Sequence, residues 1–115
     1  MSQNRRVHPR YAISLSVEIY TGTDALPARA KNLSQGGVGV ALDAPVPVGT
    51  KVGLSMFLVE DGIEDERTAP LNLQGEVVWC TAEQGSEYLA GVQFAQPGPD
   101  AIQRIQVFLR RLQGG

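Results

Sequence analysis

A chain of 115 residues with 43% hydrophobic and 19% charged content suits one domain that buries roughly two-thirds of its unfolded-state surface, and this composition excludes wholesale disorder. The net charge is only −2 but it is segregated, with three arginines and no acid in residues 1–10 and five acids against one arginine in residues 60–67. Such a distribution speaks against broad coating of nucleic acid and for a confined anionic ligand met by a local basic arm.

That arm, taken as residues 1–11, has almost no apolar content, and Pro9 removes a backbone donor, so nothing in it predicts a stable element on its own. Residues 12–115 follow as a single folded unit. Ile13, Leu15, Val17 and Ile19 alternate with Ser14, Ser16, Glu18 and Tyr20, a period of two that predicts a half-buried strand. Thr21 to Asp24 form a turn, and a second strand is expected over Leu26–Leu33. Val38, Val40 and Leu42 give a third, and Ala44 to Gly49, with two prolines, a rigid connector. Val52, Leu54, Met56 and Leu58 give a fourth strand. The aperiodic acidic stretch from Glu60 to Ala69 reads as a loop. Leu71, Leu73, Val77 and Trp79 fall on a long fifth strand with a bend expected at Gly75, and Tyr88, Ala90, Val92 and Phe94 on a sixth.

The period changes only at the end. Asp100 with Gln103 resembles a helix-capping pair after Pro97-Gly98-Pro99, and Ile102, Ile105, Leu109 and Leu112 then recur at helical spacing beside Phe108. Arg104, Arg110 and Arg111 are expected to face water. The fold class is therefore mainly β: a six-stranded antiparallel β-barrel with a C-terminal α-helix that buries its apolar stripe against the barrel.

Two short motifs carry chemistry. Arg6 and Arg10 form Arg-x-x-x-Arg with Arg5 immediately before, and Asn32-Leu33-Ser34-Gln35-Gly36-Gly37 reads Asn-x-Ser-x-x-Gly. A guanidinium fork meets guanine O6 and N7 with two parallel hydrogen bonds, pairs bidentately with phosphate, and stacks flat on a purine. Asn32 and Ser34 can bond both neighbouring backbone and a ligand edge, while Gly36 and Gly37 permit positive φ and leave space for close approach. The pair of motifs points to a guanine nucleotide with more than one phosphate. Taken separately, each has a plainer reading, the arm as a solvated basic tail and the turn as an ordinary hairpin.

Both motifs in this order, set in this strand pattern, resemble the PilZ domain, as do the strands around Gly75-Glu76-Val77-Val78-Trp79 and Gly91-Val92-Gln93-Phe94. The resemblance covers nearly the whole chain. It implies a bacterial receptor for the second messenger cyclic di-GMP, with Arg6, Arg10, Asn32, Ser34, Gly36 and Gly37 at the ligand. In related domains a basic residue at the position of Arg5 accompanies binding of two intercalated ligand molecules, so that stoichiometry is expected here. Asn32 is an accepted variant where the family has Asp or Asn. Trp79 either packs in the barrel or under the helix, or offers a surface on which a guanine or an arm arginine can stack.

The implied mechanism is ordering of the arm over cyclic di-GMP, read by an unidentified effector protein; motility, surface attachment in biofilms and polysaccharide export are the outputs the family suggests. One alternative is a PilZ-like adaptor that works without nucleotide. Another is a small barrel that binds nucleic acid, which the 6% aromatic content disfavours. Neither nucleic acid nor a metal or cofactor is expected as a partner. With one His, one Cys and no paired carboxylates outside the acidic loop, no enzyme is expected. Cys80 has no intramolecular disulfide partner and fits a half-buried strand position in a reducing compartment. Without a signal segment or a long apolar run, a cytoplasmic monomer or homodimer is expected.

Overall fold

The structure is a computed structural model and describes residues 11–22, 24–58, 70–83 and 85–112. Its elements are β1 (Tyr11–Thr21), β2 (Asp24–Leu33), β3 (Gly37–Leu42), β4 (Lys51–Met56), β5 (Leu71–Ala82), β6 (Tyr88–Phe94) and α1 (Pro99–Leu112). The strands close into an antiparallel barrel in the order β1-β2-β3-β6-β5-β4, so that no sheet edge is left open. This is the expected fold class.

Strand alternation fills the interior. Leu15, Val17 and Ile19 on β1 point inward, as do Val38, Val40 and Leu42 on β3, Val52, Leu54 and Met56 on β4, and Ala90, Val92 and Phe94 on β6. β1 and β2 join through a tight hairpin, Thr21 pairing with Asp24 and Gly22 taking φ +70°.

The two mouths of the barrel are closed differently. At one, α1 inserts Ile105, Phe108 and Leu109 into the core. Fully burying a side chain of this size contributes about 1.5–3 kcal/mol, so these three residues dock the helix. The hydrogen bonds from Arg104 to the Pro70 carbonyl and from Gln106 to Gln35, each 3.4 Å, orient it. Arg104 is thus half-buried against the end of β5, not facing water as expected. The helix also begins two residues earlier than the capping pair implied: Ile102 N–H donates to the Gly98 carbonyl, Pro99 is the first helical residue, and Asp100 lies within the first turn.

At the other mouth the connector between β3 and β4 folds inward and plugs the opening with Val46, which is only 4% exposed. The connector is pinned by Gly49 N–H to the Val77 carbonyl, Val77 N–H to the Thr50 carbonyl, and Thr50 Oγ1 to the Pro47 carbonyl.

The strand pairings carry three register shifts: one on β1 between Ala12 and Leu15, and two that set which side chains face out around the motif turn and Trp79. Between Ala30 and Asn32, β2 carries Lys31 as an extra residue against β3, and between Val77 and Trp79, β5 carries Val78 as an extra residue against β6. Each bulge shifts the period by one. Without them, Asn32 and Trp79 would share the inward face of Ala30 and Val77. The expected bend at Gly75 is not where β5 departs from regularity: Gly75 pairs normally with Val52 and Phe94, and the break falls at Val78.

Candidate ligand-binding site

The bulges bring four residues into one row across the outside of the barrel. Asn32 on β2 pairs with Gly39 on β3, Gly39 with Gly91 on β6, and Gly91 with Trp79 on β5. Three interstrand steps separate Asn32 from Trp79, roughly 14 Å. A Cβ on Gly39 would lie 2.6 Å from Asn32 Nδ2, and one on Gly91 would collide with the Trp79 indole. The two side chains therefore lie down over a floor of two glycines. Trp79 remains 39% exposed, which resolves its placement in favour of the surface. The face displays an amide edge at one end and a flat indole at the other, the means to hydrogen-bond and to stack on a purine.

The turn after Asn32 is rigid. Ser34 is buried, its Oγ accepts from Gly36 N–H at 3.2 Å and donates to the Gly37 carbonyl at 3.4 Å, and its own N–H donates to that carbonyl at 2.9 Å. Phe94 N–H donates to the Gly36 carbonyl at 2.9 Å, and Gln35 meets Gln106 of α1. Ser34 thus shapes the turn from inside. Of the two purposes expected of Gly36 and Gly37, positive φ is not met. Among the described glycines, positive φ occurs at Gly22, Gly49 and Gly85, not in this turn. Gly37 is required because a Cβ there would sit 2.5 Å from the Val92 carbonyl oxygen.

Arg5, Arg6 and Arg10 lie outside the described residues. What is described is the point where the chain enters the barrel: Tyr11 pairs with Leu33 and Ala12 with Asn32. The residue following Arg10 is therefore directly across from the Asn-x-Ser-x-x-Gly motif. β2 adds exposed cations that sequence reasoning passed over, Arg29 and Lys31, both shortly before Asn32 in the chain. Arg29 Nη1 donates to Ser14 Oγ at 3.2 Å. Gly39 and Gly91 were missed too. A signal existed for Gly39, since a glycine between two inward valines, where a polar outward residue is normal, marks close approach of another group.

Among the described residues no cluster of His, Cys, Asp and Glu is placed to hold a metal ion, and no helix is long and apolar enough to cross a membrane.

A small closed barrel, sealed at one mouth by α1 and carrying the Asn-x-Ser-x-x-Gly turn opposite the start of β1, defines a class of β module. The family model for the PilZ domain matches residues 4–111, and the chain belongs to that family. Among curated proteins none matches it significantly. Among solved structures, it is similar to the Bacillus subtilis inhibitor of motility MotI/DgrA, at 18% identity and TM-score 0.76, covering 96% of this chain and 52% of that one. It is also similar to Escherichia coli YcgR in complex with c-di-GMP, at 16% identity and TM-score 0.76, covering 95% of this chain and 46% of that one. The PilZ domain of YcgR with c-di-GMP matches at 13% identity and TM-score 0.74, over 95% of this chain and 92% of that domain. This chain thus spans about half the length of the first two proteins and nearly all of the isolated domain.

Proposed function

We propose that the chain is a cyclic di-GMP receptor whose ligand lies against the row Asn32–Gly39–Gly91–Trp79 and is gripped by Arg6 and Arg10. The observation that carries this reading is the placement of the arm root: Tyr11 and Ala12 pair with Leu33 and Asn32, so arginines one and five residues before Tyr11 have only a short chain to cross. Trp79 supplies a stacking surface for one guanine and Asn32 an amide edge. Ser34, Gly36 and Gly37 hold the turn at the height where backbone meets the ligand. Arg5 supplies an added cation that offsets the charge of a second, intercalated ligand molecule. The relatives whose structures contain c-di-GMP support the ligand class. Ordering of the arm over the ligand changes the surface presented to an effector protein, and the module acts by binding and not by catalysis.

Calorimetric titration of the protein with cyclic di-GMP tests this directly. Saturable binding is expected, with two ligand molecules per chain. Arg6→Ala and Arg10→Ala are each expected to weaken it by roughly ten- to a hundredfold, the loss of one bidentate contact at about 1–3 kcal/mol. No saturable heat from the wild-type protein, or unchanged affinity in the double variant, would end the proposal.

A further inference from the structure

The mouth of the barrel opposite α1 carries a second surface of different character. Pro45, Pro47, Val48, Cys80, Ala82 and Tyr88 surround a concavity of about 310 Å³ floored by Val46. None of these side chains is charged. Val48 is 63% exposed. An apolar side chain that exposed is unremarkable alone, but seven contiguous residues around one hollow form a patch of the kind that a partner covers.

The hollow is also preformed. The hydrogen bonds that pin the connector to Val77 and close it on Pro47 hold its lip in place, so a partner would lose little free energy to ordering it. On the far side, Leu42, Tyr88 and Ala82 are in register across β3, β6 and β5.

The rim states the sign of the occupant. Asp43 follows Leu42, Glu83 follows Ala82, and Glu87 precedes Tyr88, so the three strand ends that bound the hollow each add an exposed carboxylate. Glu83 N–H donates to the Glu87 carbonyl at 2.8 Å, which keeps these two acids on one tight turn. No Lys or Arg occurs between Asp43 and Thr50 or between Cys80 and Phe94. Lys51, next along the chain, is held by Glu76 at 2.7 Å. An apolar hollow with an acidic rim repels an anionic bilayer and nucleic acid, and attracts a segment with apolar anchors between cations.

We infer that this mouth is a docking surface for a cationic amphipathic segment of a partner polypeptide, with an apolar anchor of the partner seated in the hollow and its Lys or Arg residues facing Asp43, Glu83 and Glu87. The surface lies at the end of the barrel away from the motif turn, where β5 and β6 are joined. It nevertheless touches the nucleotide face through the chain, because Cys80 lines the hollow and Trp79 is its neighbour on β5.

The test uses the whole protein, isotope-labelled, with an amphipathic leucine–lysine peptide as probe and no nucleotide present. A leucine–glutamate peptide and phosphatidylglycerol vesicles serve as comparisons. The expected result is saturable shifts of the backbone signals of Val48, Cys80, Ala82 and Tyr88 with the lysine peptide alone, weakening as salt rises. Val48→Lys, at an exposed site where folding is unaffected, is expected to weaken binding about tenfold or more, as loss of a central apolar contact does. Glu83→Gln with Glu87→Gln is expected to reduce the salt dependence. The inference is overturned if the peptide shifts residues elsewhere or none, if binding ignores salt, or if the glutamate peptide or the vesicles bind equally well. It is also overturned if sedimentation shows self-association that Val48→Lys abolishes, since the occupant would then be a second copy. Because cyclic di-GMP is absent throughout, none of these outcomes bears on the nucleotide proposal.

Discussion

Gly39 on β3 and Gly53 on β4 sit on opposite sides of the closed barrel, both facing outward from strands of six residues. Beneath Asn32, a Cβ on Gly39 would lie 2.6 Å from the amide, and its partner Gly91 lies under the Trp79 indole. Around Gly53 the nearest atom to such a Cβ is 3.7 Å away, on Tyr20. That second flank opens into a shallow groove of about 530 Å³ whose lining, including Tyr20, Asn72, Gln74 and Gln96, contains no cation. The same residue type therefore marks a place already filled by a neighbour on one flank, and vacant space on the other. What a glycine is for depends on the side chain beside it in space, and the fold supplies that neighbour through its register.

Four substitutions separate the two flanks. The largest effect is expected from Gly37→Ala beside the proposed ligand face, where the new methyl would meet the Val92 carbonyl oxygen at 2.5 Å, an atom of backbone that cannot swing away. A loss of about 2–3 kcal/mol is expected, lowering Tm by on the order of 10 °C in calorimetry. An unchanged Tm would show that β3 and β6 do not approach this closely.

Gly91→Ala comes next. Here the colliding group is a side chain, so the indole swings into solvent and the cost is about 1 kcal/mol. Trp79 is the only tryptophan, so its fluorescence should move to longer wavelength, and cyclic di-GMP affinity should fall with it. Unaltered emission would place the indole elsewhere.

Gly53→Ala on the opposite flank is expected to leave structure intact and to stabilise by about 0.5 kcal/mol, since it only restricts the unfolded chain. A marked loss of stability would mean that this flank is packed and the contrast false.

The smallest effect belongs to Tyr20 beside it. Its phenol donates to Glu18 Oε1 at 3.0 Å. That hydrogen bond, followed by desolvation and the adjacent negative charge, raises its pKa above the usual value of 10.0. A raised value in the folded state means that the protonated phenol is favoured there. Its contribution is fully present below pH 10 and is lost as the pH climbs past the folded-state value. Because the pair is exposed, Tyr20→Phe should change Tm at neutral pH by about 1 °C or less, and should flatten the decline above pH 10. A steeper decline in the variant would reverse the sign.

Much of the architecture was legible along the chain. The alternation in β1, β3, β4 and β6 placed their buried inward residues, except that β4 ends at Met56 and leaves Leu58 outside the strand, because in a small barrel one face of each strand must be apolar and the period of two records it. The helix was legible for the same reason, through Ile105, Phe108 and Leu109. The two bulges were not. Nothing about Lys31 or Val78 as residues announces an extra position, and on uninterrupted alternation Trp79 belongs with Leu71, Leu73 and Val77 in the core.

The amino-acid order settled which segments are strands and which is the helix, since local periodicity and turn chemistry are properties of neighbours in the chain. The tertiary fold alone decided that Asn32 and Trp79 share an outer row, that Gly39 and Gly91 form its floor, that Tyr11 starts opposite Leu33, and that Val46 seals the far mouth. Each of these depends on the register between strands distant in sequence, and register is chosen by how all six inner faces fill one closed interior together.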